Sequence, residues 1–206
     1  MSHAHVAARV AGLDVPVADV DAREAVLRGA MPAGALPRQG TSEGRQLRRW
    51  LTQLLVTERV IAAEAYAAGV SPDDAPAEHE LLPDDSARLE IGSVAAAALA
   101  DPLARALYVY VTDGVEVRDA EVADYHARNP LRFAAPADAG NGWRTATVDA
   151  PQLDVVRPLI VAHLRGAARR RTFRRWLDAR RAELVRLAPG FEHPGDPRQP
   201  DNTHRH

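Results

Sequence analysis

Apolar residues along the chain recur mostly in helical rhythms separated by short polar breaks. The clearest rhythm opens at Ser42-Glu43 and runs to about Ala68. Leu47, Trp50, Leu51, Leu54, Leu55, Ile61 and Ala65 return at three- and four-residue steps, which marks one buried helix face. Gly69 follows, a residue suited to the left-handed conformation that ends helices. A second long rhythm, Val156, Ile160, His163, Ala167, Phe173 and Leu177, predicts a helix from about Gln152 to Arg181. Shorter helices are expected from a cap at Asp19 through Leu27, from about Ser86 to Ala100, through Leu103, Leu107 and Val111, and from a cap at Asp119 through Tyr125 and His126. Asp101-Pro102 places a capping carboxylate before a proline at the first helical position.

Only the ends depart from this rhythm. Residues 6–17 read as two short strands around a tight turn at Gly12-Leu13-Asp14, with Pro16 on an edge. Leu184–Leu187 reads as another short strand. Residues 29–40 form a loop, 71–85 an exposed acidic linker, and 134–150 a loop with a strand at Thr145–Val148. The pattern is one mainly α domain over 1–187, with a small N-terminal β-hairpin, followed by a Pro-, His- and Asp-rich tail over 188–206. No internal repeat is evident.

Composition narrows the chemistry. Hydrophobic residues make up 46% of the 206 but aromatics only 5%, so the core must be built from Ala, Val and Leu, which suits helix-on-helix packing. All 26 basic residues are Arg, which excludes a lysine Schiff base or a tuned amine. The absence of Cys excludes disulfides, thiol nucleophiles and thiolate metal sites. A net charge of −2 speaks against nucleic acid as the partner. No apolar run reaches the roughly 20 residues of a membrane span. No basic segment followed by an apolar one opens the chain. A cytoplasmic protein without a membrane partner is the expectation.

Three segments together carry a resemblance. They are Val10-Ala-Gly-Leu-Asp-Val-Pro-Val17 leading into Asp19–Leu27; Leu54-Leu-Val-Thr-Glu-Arg-Val-Ile-Ala-Ala-Glu-Ala-Tyr-Ala-Ala-Gly-Val70; and Val117-Arg-Asp-Ala-Glu-Val-Ala-Asp-Tyr-His-Ala-Arg-Asn-Pro-Leu-Arg-Phe133. In order and spacing they resemble the N-terminal part of the SurA/PpiC group, the parvulin-type prolyl isomerase chaperones. The resemblance implies a SurA-N-like helical domain whose ends meet, with the strand near Leu184–Leu187 beside the N-terminal hairpin. It also implies an isomerase domain after Phe133. Here only about 17 residues (134–150) are available, far fewer than the isomerase domain that the resemblance implies, so prolyl isomerase activity is not expected. The frame is also similar to accessory proteins of polyketide gene clusters that carry the label acyl-carrier-protein malonyltransferase. That reaction requires a nucleophile elbow, Gly-x-Ser-x-Gly, and none of Ser2, Ser42, Ser71, Ser86 and Ser93 sits in one.

Two constellations are candidates for function. The tail concentrates His193, Asp196, Asp201, His204 and His206, and His3 and His5 stand at the other end. Imidazole and carboxylate together suit a divalent transition metal that activates water, and the alternative is a plain polar tail. The last long helix carries Arg169, Arg170, Arg171, Arg174 and Arg175, which ring it. They would attract an acidic protein helix, such as that of an acyl carrier protein, or be neutralised by the chain's own Asp73, Asp74, Glu78, Glu80, Asp84 and Asp85. Tyr108, Tyr110 and Tyr125-His126 are weaker acid–base candidates. Tyr125 and His163 read as core residues, and Glu58-Arg59 as an internal salt bridge. Two functions follow. One is a chaperone-like peptide- or protein-binding module with an apolar groove between the helices at 43–68 and 86–111. The other is a small metal-dependent or acid–base enzyme of a biosynthetic pathway that uses the tail.

Overall fold

The computed structural model describes residues 5–32, 34–73, 75–134 and 149–195. The chain begins with β1 (Val6–Val10) and β2 (Leu13–Pro16), joined through Ala11 and Gly12 at φ +48° and +83°. Two successive positive φ values give the two-residue hairpin turn whose twist matches paired strands. The helix α1 (Val17–Ala30) starts two residues before the expected cap. Pro16 is the last extended residue, and Asp19 lies in the first turn, where a negative charge suits the helix dipole. Then come α2 (Ser42–Ala68), α3 (Glu78–Leu81), α4 (Asp85–Ile91), α5 (Ser93–Ala98), α6 (Pro102–Thr112), α7 (Asp119–Arg128) and α8 (Leu153–Leu184). The last element, β3 (Val185–Leu187), pairs antiparallel with β1 in the strand order β2-β1-β3. Ala11 N–H donates to the Leu184 carbonyl and Ala188 N–H to the Ala7 carbonyl, which extends the pairing at both ends. The mainly helical fold with a terminal sheet is thus present, and the C-terminal strand lies beside the hairpin.

The helix α2 is the spine of the molecule. Thr41 caps it by accepting the Gly44 N–H at 3.1 Å, and Gly69 ends it at φ +67°. One face buries Leu54, Val60, Ile61 and Ala65 against α5 and α6, whose Ala95, Ala96, Ala98 and Leu107 are equally buried. Small side chains let these helices approach closely, so the faces expected to border an apolar groove instead pack together.

Three other expectations need correction. The stretch 86–100 is two helices, not one. Gly92 breaks it at φ +90° and ψ 149°, a conformation that essentially only glycine adopts. The acidic stretch 71–85 is not wholly an exposed linker, because α3 lies within it and Leu81 and Leu82 enter the core. Glu58 does not pair with Arg59, because adjacent residues point 100° apart on a helix. Glu58 takes Arg23 at 2.6 Å and Arg59 takes Asp19 at 2.9 Å, so both ion pairs tie α1 to α2.

The two halves of α8 serve different cores. Its C-terminal half buries Phe173 and Leu177 in the main core, where the Phe173 ring lies 5.0 Å from that of Tyr108. Its N-terminal half packs on α7 around Val122, Val156 and Ile160. There Tyr125 and His163 are half-buried with ring centroids 5.3 Å apart, as expected of core residues. The expected strand at Thr145–Val148 lies outside the described residues.

Candidate functional site

The site begins with a buried polar stripe on α2. Arg49, Gln53 and Thr57 follow one another at four-residue steps on α2, and all three are buried, Gln53 at 1% and Thr57 at 0% exposure. Buried polar groups must be hydrogen-bonded, and these bonds organise the C-terminal part of the chain. Arg49 Nε donates to the Gly190 carbonyl at 3.3 Å, and Gln53 Nε2 to the Phe191 carbonyl at 3.2 Å. From α8, Arg181 Nη1 donates to Thr57 Oγ1 at 2.5 Å and Arg181 Nη2 donates to Gln53 Oε1. A single stripe therefore fixes both a guanidinium and the segment that follows β3.

These two features border a cleft of about 450 Å³. Its opposite wall is the elbow between α4 and α5 at Gly92. Ile91, Val94, Ala95 and Leu177 give it an apolar lining, and Arg174, Asp178, Arg181 and His193 a charged and polar one. Ser93 also lines the cleft, and its Oγ lies 3.4 Å from Trp50 Nε1, the donor.

The electrostatics of the cleft are unbalanced. Burial pushes the Arg181 guanidinium below its ordinary pKa, and the nearby charge of Asp178 opposes that shift only in part. The hydrogen-bond partners of Arg181 are a hydroxyl and an amide oxygen, both neutral. His193 Nδ1 accepts the Gly195 N–H at 3.0 Å, so the neutral ring carries its proton on Nε2. The imidazole therefore presents an N–H donor. That pairing also occupies the nitrogen a neighbouring serine would need as its base, so Ser93 and His193 do not form a nucleophile–base pair in this arrangement.

The five arginines singled out on α8 divide into two groups. Arg170 is buried at 7% exposure, and its Nε donates to Glu90 Oε2 at 2.7 Å and its Nη1 to the Leu81 carbonyl at 3.3 Å. Arg169 donates from Nε to Thr112 Oγ1 at 2.8 Å, with its guanidinium carbon 5.4 Å from the centre of the Tyr108 ring. These two are thus structural anchors. Arg171, Arg174 and Arg175 are exposed, and only Arg174 reaches back, to the Glu90 carbonyl at 3.2 Å. Among the described residues no acid of that stretch pairs with the row: Glu78 pairs with Arg88 at 2.6 Å, the carboxylate taken by α8 there is Glu90, and Asp74 lies outside the described residues.

Of the residues considered as metal ligands, His5 and His193 are described, whereas His3, Asp196, Asp201, His204 and His206 lie outside the described residues. Among the described residues no three His, Cys, Asp or Glu side chains stand together as a metal site would require. No helix among them is long and apolar enough to cross a membrane.

A model described as a family of unknown function (DUF7158) matches residues 6–43. No curated protein and no solved structure matches the chain. The matched stretch holds the hairpin, α1 and the start of α2, and none of its residues lines the cleft.

Sequence reasoning passed over Gln53, Thr57 and Arg181. Their signal was nonetheless present. Gln53 and Thr57 interrupt the apolar face of α2 at helical spacing, and Arg181 continues the Phe173–Leu177 face one turn further.

Proposed function

We propose that the chain is a chaperone-like binding module that holds a segment of another polypeptide in the cleft between the α4–α5 elbow and α8. One observation carries this reading: an open cleft of about 450 Å³ joins an apolar lining to an unneutralised guanidinium. Such a combination recognises a peptide through one apolar side chain and one polar contact. Arg174 lines the cleft, and with the exposed Arg171 and Arg175 on the same helix it favours an acidic partner, such as the acidic helix of a carrier protein, by electrostatic steering. Binding is favoured over catalysis because the one hydroxyl in the lining, Ser93, has no base: the Nδ1 of His193 is taken by the Gly195 N–H.

The test is titration of the isotopically labelled full chain with short peptides of acidic, basic and apolar composition, followed by amide NMR. Shifts are expected first at Gly92, Ser93 and Val94, and they should saturate with the acidic, apolar-containing peptides. No shift with any peptide at millimolar concentration would sink the proposal.

A further inference from the structure

We infer that the cleft is a receptor for one carboxylate of a partner polypeptide, with Arg181 as the group that receives it. This assignment rests on the binding reading above and names what is bound. Three features carry it. Thr57 and Gln53 hold the two terminal nitrogens of Arg181, which fixes the guanidinium plane before any ligand arrives. Of its five N–H groups, those two bonds engage two, leaving three for a ligand. A carboxylate is the planar acceptor that matches this fork.

The surroundings select the charge and the attached chain. The lining carries Arg174 and Arg181 against Asp178, a surplus of one positive charge, which suits a singly charged group better than a dianionic phosphate. The Nε2–H of His193 adds a further donor. Ile91, Val94 and Leu177 provide a surface for an aliphatic side chain next to that carboxylate. The expected occupant is an extended or helical peptide segment in which a Glu or Asp neighbours Leu, Ile or Val.

Two dye-labelled pentapeptides test this on the full chain by fluorescence anisotropy: acetyl-Gly-Leu-Glu-Leu-Gly-amide and the same peptide with Gln in place of Glu. The Glu peptide should bind at least tenfold more tightly, because a charge-assisted hydrogen bond is worth ~1.5–3 kcal/mol. Arg181→Met should bring its affinity down to that of the Gln peptide. Asp178→Asn should raise it about two- to threefold by removing the one opposing charge. Should Arg181→Met fail to fold, the Nε–H resonance of Arg181 in the wild-type chain still reports, shifting with the Glu peptide and not with the Gln peptide.

Equal binding of the two peptides would overturn the carboxylate assignment and leave the binding reading intact, whereas no binding of either would overturn both. Propionate binding as tightly as the Glu peptide would overturn the polypeptide as ligand. A tenfold gain in Glu-peptide affinity in the Asp196→Asn, Asp201→Asn double variant would show that the chain's own acidic tail is the occupant, and would overturn the external partner.

Discussion

Arg170 and Arg181 lie eleven residues apart on one face of α8, three turns of helix, and both carry their charge into the protein. Around Arg170 the structure is closed. Glu90 supplies a carboxylate, Leu81 a carbonyl, and the backbone at Gly166 packs against the guanidinium. Around Arg181 it is open. The partners are a hydroxyl and an amide, burial depresses the guanidinium pKa, and a cleft lies in front. Charge burial is expensive unless compensated, so the first arrangement is what folding alone selects. The second costs stability within the folded chain and becomes favourable once something negative enters, which is the usual relation between a binding site and the scaffold that carries it.

The largest expected effect falls on the closed region. Phe173→Ala removes a fully buried ring that contacts both Tyr108 and Trp176, and should cost about 3–5 kcal/mol by urea unfolding. Val94→Ala, in the half-buried lining of the cleft, should cost about 1 kcal/mol or less. Similar losses at both positions would mean that the cleft is as much a part of the core as the Arg170 region, and the contrast would fail.

Next comes the buried pair itself. Arg170→Met should destabilise by about 1–3 kcal/mol, because Glu90 loses its partner and the Leu81 carbonyl its donor. Glu90 remains partly in water, which keeps the loss below that of a fully buried pair. Adding Glu90→Gln should restore part of the loss, since a lone charge is worse than none. A double variant no better than the single one would place the effect in packing.

Glu24, on α1, supplies the converse of Arg181: a carboxylate with more guanidinium than it needs. Burial raises its pKa, but hydrogen bonds from Arg28, Arg48 and Gln39 outweigh this and hold it below the ordinary carboxylate range. A lowered folded pKa means that its contribution to stability is complete above the unfolded value of ~4.3 and is lost as the pH falls through the folded value. The urea midpoint should therefore fall as the pH drops below about 4, and Glu24→Gln should flatten that decline. An unchanged pH profile in the variant would mean that the α1–α2 contact rests on other pairs, such as Arg23–Glu58.

How far the sequence reveals these two regions depends on the kind of signal each residue gives. The hairpin, α2 and its ends, and the strand at the close of α8 were legible because turn residues, caps and periodicity act locally. The elbow at Gly92 was not. It sits beside an alanine run with high helix propensity, and only a backbone angle distinguishes a break from a tolerated glycine. Leu81 and Leu82 were masked by the acids around them. On α8 the abundance of arginine hid the phase of individual residues. Arg170, Phe173, Leu177 and Arg181 share the three- and four-residue spacing of a single face, so the inward direction of both arginines was written in the pattern. What no pattern could tell is that one meets a carboxylate and the other does not, because Glu90 lies 80 residues from Arg170 in the chain. The ends were the least readable: five of the seven residues considered for metal binding lie outside the described residues.

The smallest expected change in stability is the sharpest probe of the comparison. Arg181→Met replaces a half-buried, poorly compensated charge with an apolar side chain of similar length. It removes the donors to Gln53 and Thr57, a loss of about 1–3 kcal/mol if both acceptors stay dry. It also removes the cost of holding that charge away from water, a gain of similar size. The two effects oppose each other, so the net should lie within about 1 kcal/mol of wild type. Urea unfolding of Arg181→Met beside Arg170→Met reads the difference directly. If the cleft is a site and not a packing detail, the first variant keeps its midpoint and the second does not. Equal destabilisation would make Arg181 a structural anchor like Arg170, and would leave the cleft without the charge that gives it a ligand.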